Sequence, residues 1–248
     1  MVRVLVPLPD RDFDVTEVAV PWQVLTSAGH EVVFAAEQAG ASLAADPRLL
    51  TGVVFGQLGA APEPRQFYRQ MTGTAQFRSP VAWADLKPAE YDGMILAGGH
   101  APGMRQYLGS SVLRGKVGQF WAARRPVGAI CHGVLVLART QDPDTGRSVI
   151  AGRQTTCLPK YMERGAYYLT GWRLGRYYRT YPQYVQDEVT AALDSPSQFH
   201  RGPPAMARGT MTDDRPAFVV EDGSYLSARW PGDAYLFARR FLALLSEG

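Results

Sequence analysis

The stretch VGAICHGVLVLA, Val127 to Ala138, decides the fold. Small and branched apolar residues run into Cys131, His132 and Gly133 follow at once, and a second apolar run begins. The first run suits a short buried strand, and the second suits a helix starting on the turn between them. A side chain at such a turn projects into the crevice beyond the carboxyl end of the sheet, where open α/β folds bind ligands. It also stands beside the first unpaired N–H groups of a helix, which favour negative charge and lower a thiol's pKa. Cys131 is therefore placed to act as a thiolate nucleophile, with His132 as a base that can reach it only across a tight turn. The alternative is a cysteine that simply fills the core, which is common.

Outward from this elbow, the preceding strand is DGMILAGG, Asp92 to Gly99, which runs into the loop GGHAPGM, Gly98 to Met104. Two glycines after a strand let backbone N–H groups face a ligand, as an oxyanion hole or anion nest, or they make a plain turn. If both strands are parallel neighbours, the two loops lie side by side. At the amino end, Val2 to Pro7 reads as a strand and His30 to Glu37 as another. Between them lies a helix capped by Asp14 or Thr16, with Pro21 near its first turn and a stop at Ala28-Gly29. That is a βαβ unit. Glu17, at the start of this helix, reads either as an acid favoured by the helix dipole or as a partner sharing a proton with the thiolate.

Residues 38–80 are irregular, with one helix expected around Pro64 to Met71. Further helices are expected over Tyr107 to Arg124, Val134 to Arg139, Pro159 to Tyr168 and Gln186 to Leu193. Ser148 to Leu158 reads as a strand. Ala217 to Trp230 reads as a hairpin turning at Asp222-Gly223, and Pro231 to Leu245 as a final amphipathic helix. The expectation is one domain over 1–248, with insertions near 38–80 and 160–185.

Composition narrows the function. No apolar run approaches the ~20 residues of a membrane span, and the amino terminus reads as a first strand, not a signal peptide. Two cysteines make no disulfide framework and no metal-type spacing, so a reduced cytoplasmic setting is expected. The net charge of +3 comes with 23 Arg but only three Lys, Lys87, Lys116 and Lys160. A nucleic-acid binder normally uses Lys on phosphates as well, so the Arg excess reads as base-composition bias. Tyr161 to Tyr184 carries seven of the 12 tyrosines, with Trp172 and Arg164, Arg173, Arg176 and Arg179. It suits an interface or a lid better than a stacking platform for nucleic acid. Cys157 and His30 read as structural, and His100 and His200 have no spacing that makes a metal site with a carboxylate. The expected ligand is a small molecule, with no nucleic acid, no membrane, no cofactor and no metal.

Five segments together resemble the ThiJ/PfpI superfamily: VRVLVPLPDRDFDVTEVAVPW with Glu17, YDGMILAGGHAPGM, VGAICHGVLVLA, VIAGRQTTCLP and FVVEDGSYLSARWPGDAYLFARRFLALL. The length and the 38–80 excursion look more like the larger chaperone and glyoxalase-type members. The resemblance implies the class I glutamine amidotransferase-like fold, a doubly wound, flavodoxin-like α/β sandwich with a mainly parallel sheet. It implies Cys131 as nucleophile at the elbow, Glu17 as a protonated acid hydrogen-bonded to it, and His132 as general acid/base. The N–H groups of Gly99 and His132 would form the oxyanion hole, and the chain would be a homodimer. One departure concerns the acid that orients the histidine: its place carries Lys160, so the acid is Glu163, three residues on, or comes from a partner subunit, or His132 has none. The leading expectation is a glyoxalase III-like enzyme turning methylglyoxal into lactate. The alternatives are an amidase or peptidase-type hydrolase at the same site, and a stress chaperone or redox sensor using Cys131.

Overall fold

Among the described residues there are nine strands: β1 (Arg3–Pro7), β2 (Arg11–Phe13), β3 (Glu31–Ala36), β4 (Ala44–Ala45), β5 (Val81–Ala82), β6 (Gly93–Leu96), β7 (Val127–Ile130), β8 (Val219–Asp222) and β9 (Tyr225–Ala228). The computed structural model describes residues 1–53, 56, 58–179, 181–204 and 207–247. Seven strands form the central sheet, in the order β5-β3-β1-β6-β7-β9-β8. All neighbours in it are parallel except β8 and β9, whose hairpin register runs from Val219 opposite Ala228 to Asp222 opposite Tyr225. Strands β6 and β7 are buried along their whole length, which is why they read as unbroken apolar runs. Strands β2 and β4 pair separately.

The order matters for the site. The chain runs from β1 outward through β3 to β5, then returns to place β6 and β7 on the other side of β1. The loops after β1, β6 and β7 therefore meet at one crevice beyond the strands' carboxyl ends, where such a sheet binds ligands.

The helices are α1 (Val15–Ser27), α2 (Pro47–Thr51), α3 (Pro62–Thr72), α4 (Ala75–Arg78), α5 (Met104–Gly109), α6 (Ser111–Ala122), α7 (Val134–Arg139), α8 (Lys160–Leu174), α9 (Val185–Ala191) and α10 (Ala234–Glu247). Helix α1 packs on α3 and α10, α10 also lies on β7 and β9, and α7 packs on α6 and α9. No helix among the described residues is long and apolar enough to cross a membrane.

Three local expectations need correction. Pro21 lies inside α1 and not in its first turn, so the helix runs past a residue with no N–H to donate. The expected helix over Tyr107 to Arg124 is two, because Ser110 ends α5 and its side chain accepts the Leu113 N–H to cap α6. Ser148 to Leu158 is not a strand. The sheet ends at β8, and this segment's backbone donors go elsewhere: Gln154 N–H to Asp222, Thr155 N–H to the Gln198 carbonyl, and Thr156 N–H to Ser227 Oγ. The 38–80 segment holds β4 and α2 to α4.

One buried ion pair fastens the end of β9 to the start of α10. Arg229 donates to both Asp233 oxygens at 2.8 Å, and both side chains are fully buried. Asp233 Oδ1 also accepts the Phe218 N–H at 2.9 Å, and Arg229 donates to the Pro203 carbonyl at 2.6 Å. Removing one partner leaves an uncompensated buried charge. Asp233→Ala is expected to lower the unfolding free energy by about 3–5 kcal/mol. A urea titration against wild type measures this, and an unchanged midpoint would contradict it.

Candidate active site

Cys131 follows the last residue of β7 and opens a tight turn, Cys131–Gly133, that leads straight into α7. Its φ is 57°, the left-handed region that a side chain normally avoids. Such a conformation costs on the order of 1–3 kcal/mol and persists only where the surroundings dictate it. Two glycines do that here. A Cβ on Gly133 would lie 2.0 Å from the Leu96 carbonyl oxygen. A Cβ on Gly98 would lie 2.6 Å from His132 N and 2.9 Å from both Cys131 Cβ and Glu17 Oε2. The turns after β6 and β7 interlock only because neither position has a side chain.

The third wall of the elbow is the start of α1. Asp14 Oδ1 accepts the N–H groups of Thr16 at 2.7 Å and Glu17 at 3.1 Å, which caps the helix. The Asp14 N–H donates to the Gly98 carbonyl at 2.8 Å, which ties the cap to the glycine turn. Glu17 is thereby held fully buried, with Oε2 accepting the Gly98 N–H at 2.8 Å. Oε1 has no hydrogen-bond partner among the described residues. Burial, with the nearby Asp14 carboxyl, pushes the Glu17 pKa well above its ordinary value. Burial also raises Asp14 to about 6.

The same burial acts on the thiol. The Cys131 thiol is raised well above its ordinary value, first by desolvation and then by the acids Glu17 and Asp14. His132, also buried, is held well below its ordinary value by desolvation and by the neighbouring His100 and Arg139. Every group in the elbow is therefore pushed toward its neutral form. Cys131 Sγ lies 3.4 Å from His132 Nδ1, so the adjacent side chains do meet across the turn.

His100, from the glycine loop, is brought in as well. Its ring centroid lies 4.9 Å from that of His132, and the ring also packs edge-to-face on Tyr178 at 5.7 Å. Burial lowers its pKa to about 4. Its position directly after Gly98-Gly99 was the available sequence signal, but no carboxylate spacing marked it. One ligating atom from each of His100, Cys131 and His132 lies within 4.8 Å of the others, so these three could hold a metal ion.

Glu163 is not brought to His132. Its carboxylate accepts the Val185 N–H at 2.9 Å and faces Arg179 at 3.3 Å, and burial raises its pKa to about 7. Among the described residues no carboxylate hydrogen-bonds His132. Lys160 pairs with Asp187 at 2.7 Å. Gly99 lies in the loop beside the elbow, where a Cβ would meet the Asp12 carbonyl oxygen at 2.6 Å.

A cavity of about 220 Å³ opens over the site, with Asp14, His100, Leu158, Met162, Tyr178 and Arg208 on its walls. This is room for a small molecule. The aromatic stretch is divided by the fold. Tyr178 and Tyr177 turn inward and donate to the buried Asp46 at 3.1 and 3.4 Å. Tyr168 and Trp172, on α8, stay exposed. Tyr178, Asp46 and Arg208 gave no individual signal in the sequence, because they reach the site only through the fold.

The chain has recognisable relatives. A protein of Schizosaccharomyces pombe is 29% identical over 197 residues, covering 76% of this chain and 72% of its own length. A deglycase of Pyrococcus abyssi is 25% identical over 243 residues, covering 98% of this chain and 99% of the relative. Glyoxalase III from Candida albicans shares the fold, with a TM-score of 0.68 at 20% identity and coverage of 98% and 97% of the two chains. The ThiJ/PfpI family-like model matches residues 8–203, four-fifths of the sequence and all of the elbow, so the chain belongs to that family.

Proposed function

We propose that this protein is a cysteine-dependent enzyme for small reactive carbonyl compounds, of the glyoxalase III type, converting methylglyoxal and water into lactate. The observation that carries the reading is the Cys131 sulfur, 3.4 Å from His132 Nδ1 and walled by a buried, proton-retaining Glu17. The names of the deglycase relative and of the glyoxalase III neighbour agree with carbonyl chemistry.

The reaction needs protons to move inside a closed site. His132 Nδ1 takes the thiol proton as Cys131 Sγ bonds to the aldehyde carbon, and the oxyanion faces the N–H groups of Gly99 and His132. The histidine returns that proton to the oxygen, giving a neutral hemithioacetal. It then removes hydrogen from the aldehyde carbon as a proton and delivers it to the neighbouring carbonyl carbon. The hydroxyl proton passes to the second oxygen, a transfer for which the carboxyl of Glu17 has the unpartnered Oε1. One carbon is oxidised, the other reduced, and a thioester remains on Cys131. Water adds to the acyl carbon, the C–S bond breaks, and the sulfur regains its proton as lactate leaves. No outside redox partner is needed. A hydrolase triad would need an acid fixing the tautomer of His132; a histidine that shuttles one proton between adjacent carbons does not.

Lactate release from methylglyoxal tests the reading. Cys131→Ala is expected to fall to the rate without enzyme, and equal rates in variant and wild type would exclude the mechanism. Glu17→Gln keeps an acceptor for the Gly98 N–H but cannot exchange a proton; kcat/KM should drop by about 10²–10⁴-fold, while the circular dichroism spectrum stays that of wild type.

The pH profile is a separate check. The base must be neutral to take the thiol proton, so activity falls with falling pH as His132 protonates. Because burial holds its pKa well below 6.5, kcat/KM should stay flat as pH is lowered from neutrality through 6.5 and fall only further down. A limb centred on 6.5 would mean that the base titrates as an exposed imidazole does.

A further inference from the structure

We infer that His100, Cys131 and His132 form a site for a single Zn²⁺ ion, which caps the nucleophile reversibly. One sulfur and two imidazole nitrogens, all within 4.8 Å of one another, are the donor set that a borderline-soft ion prefers over the oxygen ligands of Mg²⁺ or Ca²⁺. Zn–N bonds of about 2.0–2.1 Å and a Zn–S bond of about 2.3 Å, at a tetrahedral angle, set N and S roughly 3.6 Å apart. Cys131 Sγ and His132 Nδ1 already stand at 3.4 Å. The widest separation in the group closes to a tetrahedral edge with a shift of about one ångström, and His100 is the member on the cavity wall that could make it.

Entry is by way of His100, which lines the cavity and is partly exposed, whereas Cys131 and His132 behind it are closed to solvent. Three protein ligands leave one position of the tetrahedron for water or a small anion. Binding replaces the thiol proton: the S–H bond breaks, a Zn–S bond forms, and one proton leaves to solvent. The bound ion occupies the sulfur lone pair that attacks a carbonyl and a nitrogen that takes the thiol proton, so it inhibits. The inference concerns binding and holds whether or not the carbonyl chemistry is the protein's activity.

The test uses the full chain, freed of metal with a chelator. Zn²⁺ affinity is measured by competition against a chromophoric chelator, and Co²⁺ serves as a spectroscopic probe. One ion per chain is expected, with a thiolate-to-cobalt charge-transfer band in the near ultraviolet. Cys131→Ala should abolish the band. His100→Ala should weaken Zn²⁺ binding by about 100-fold or more, since even partners behind metal ligands cost 10–100-fold. Cys157→Ser should bind as wild type, because Cys157 belongs to no such group among the described residues. Wild-type affinity in Cys131→Ala or His100→Ala would overturn the assignment. So would a wild-type Co²⁺ complex without the sulfur band, a result that needs no variant to fold.

Discussion

The structure depends on a close approach of backbone to backbone at the ends of β6 and β7. Gly98 and Gly133 have no side chains, and the space a Cβ would need is filled by His132 N in one case and the Leu96 carbonyl in the other. This contact forces Cys131 into its left-handed conformation. A residue continuing the strand would bury its sulfur in the sheet; one turned through positive φ offers it to the crevice. The strain of the elbow is thus distributed over two loops and a helix cap, since Asp14 holds both α1 and the Gly98 carbonyl. Loosening any one of the three would free the others.

Enclosure then governs the chemistry. Glu17, Asp14 and Cys131 are all raised, and His100 and His132 are lowered, with burial the leading cause in each case. A preformed thiolate is therefore not the resting state that burial favours, although a helix start alone would favour one. The sequence motif points to a helix-activated anion; the folded site points to a neutral thiol beside a neutral imidazole. The two views are reconciled if the proton leaves sulfur only as the new bond forms, because no isolated charge is then created in a dry site. A site of this kind suits substrates whose reaction relocates protons without net charge transfer to solvent.

Much of this was legible beforehand, and for physical reasons. Parallel strands buried on both faces are unbroken apolar runs, so β1, β6 and β7 stand out, and glycines after two of them mark the crevice. The hairpin of β8 and β9 announces itself through Gly223, which takes the positive φ that the two-residue turn requires. The segment before Leu158 has the apolar and β-branched composition of a strand but folds as a coil, whose donors go to the Asp222 and Ser227 side chains and the Gln198 carbonyl. Tyr178 and Arg208, and Asp46 that holds the Tyr178 hydroxyl, are far apart in the chain and follow no period, and the cavity that Tyr178 and Arg208 help to line exists only once α8 has docked.

The fate of the missing acid follows from the same docking. Glu163 lies in the first turn of α8, yet its carboxylate is spent on the Val185 N–H, at the start of α9, and on Arg179. The Val185 N–H is one of the donors a helix leaves unsatisfied at its start, and a buried one has to be met by something. Lys160 is likewise committed to Asp187 in α9, and its own N–H to Gln186. The α8–α9 contact thus engages both Glu163 and Lys160, and what it yields is a wall: Met162 and Ala166, on the same helix, face the cavity. At this position the fold has exchanged a polar orienter for a shaped apolar boundary. His132 is left to be oriented by the turn that carries it, by the Cys131 sulfur at 3.4 Å and by the ring of His100, and the proton transfer proposed above asks no more of it.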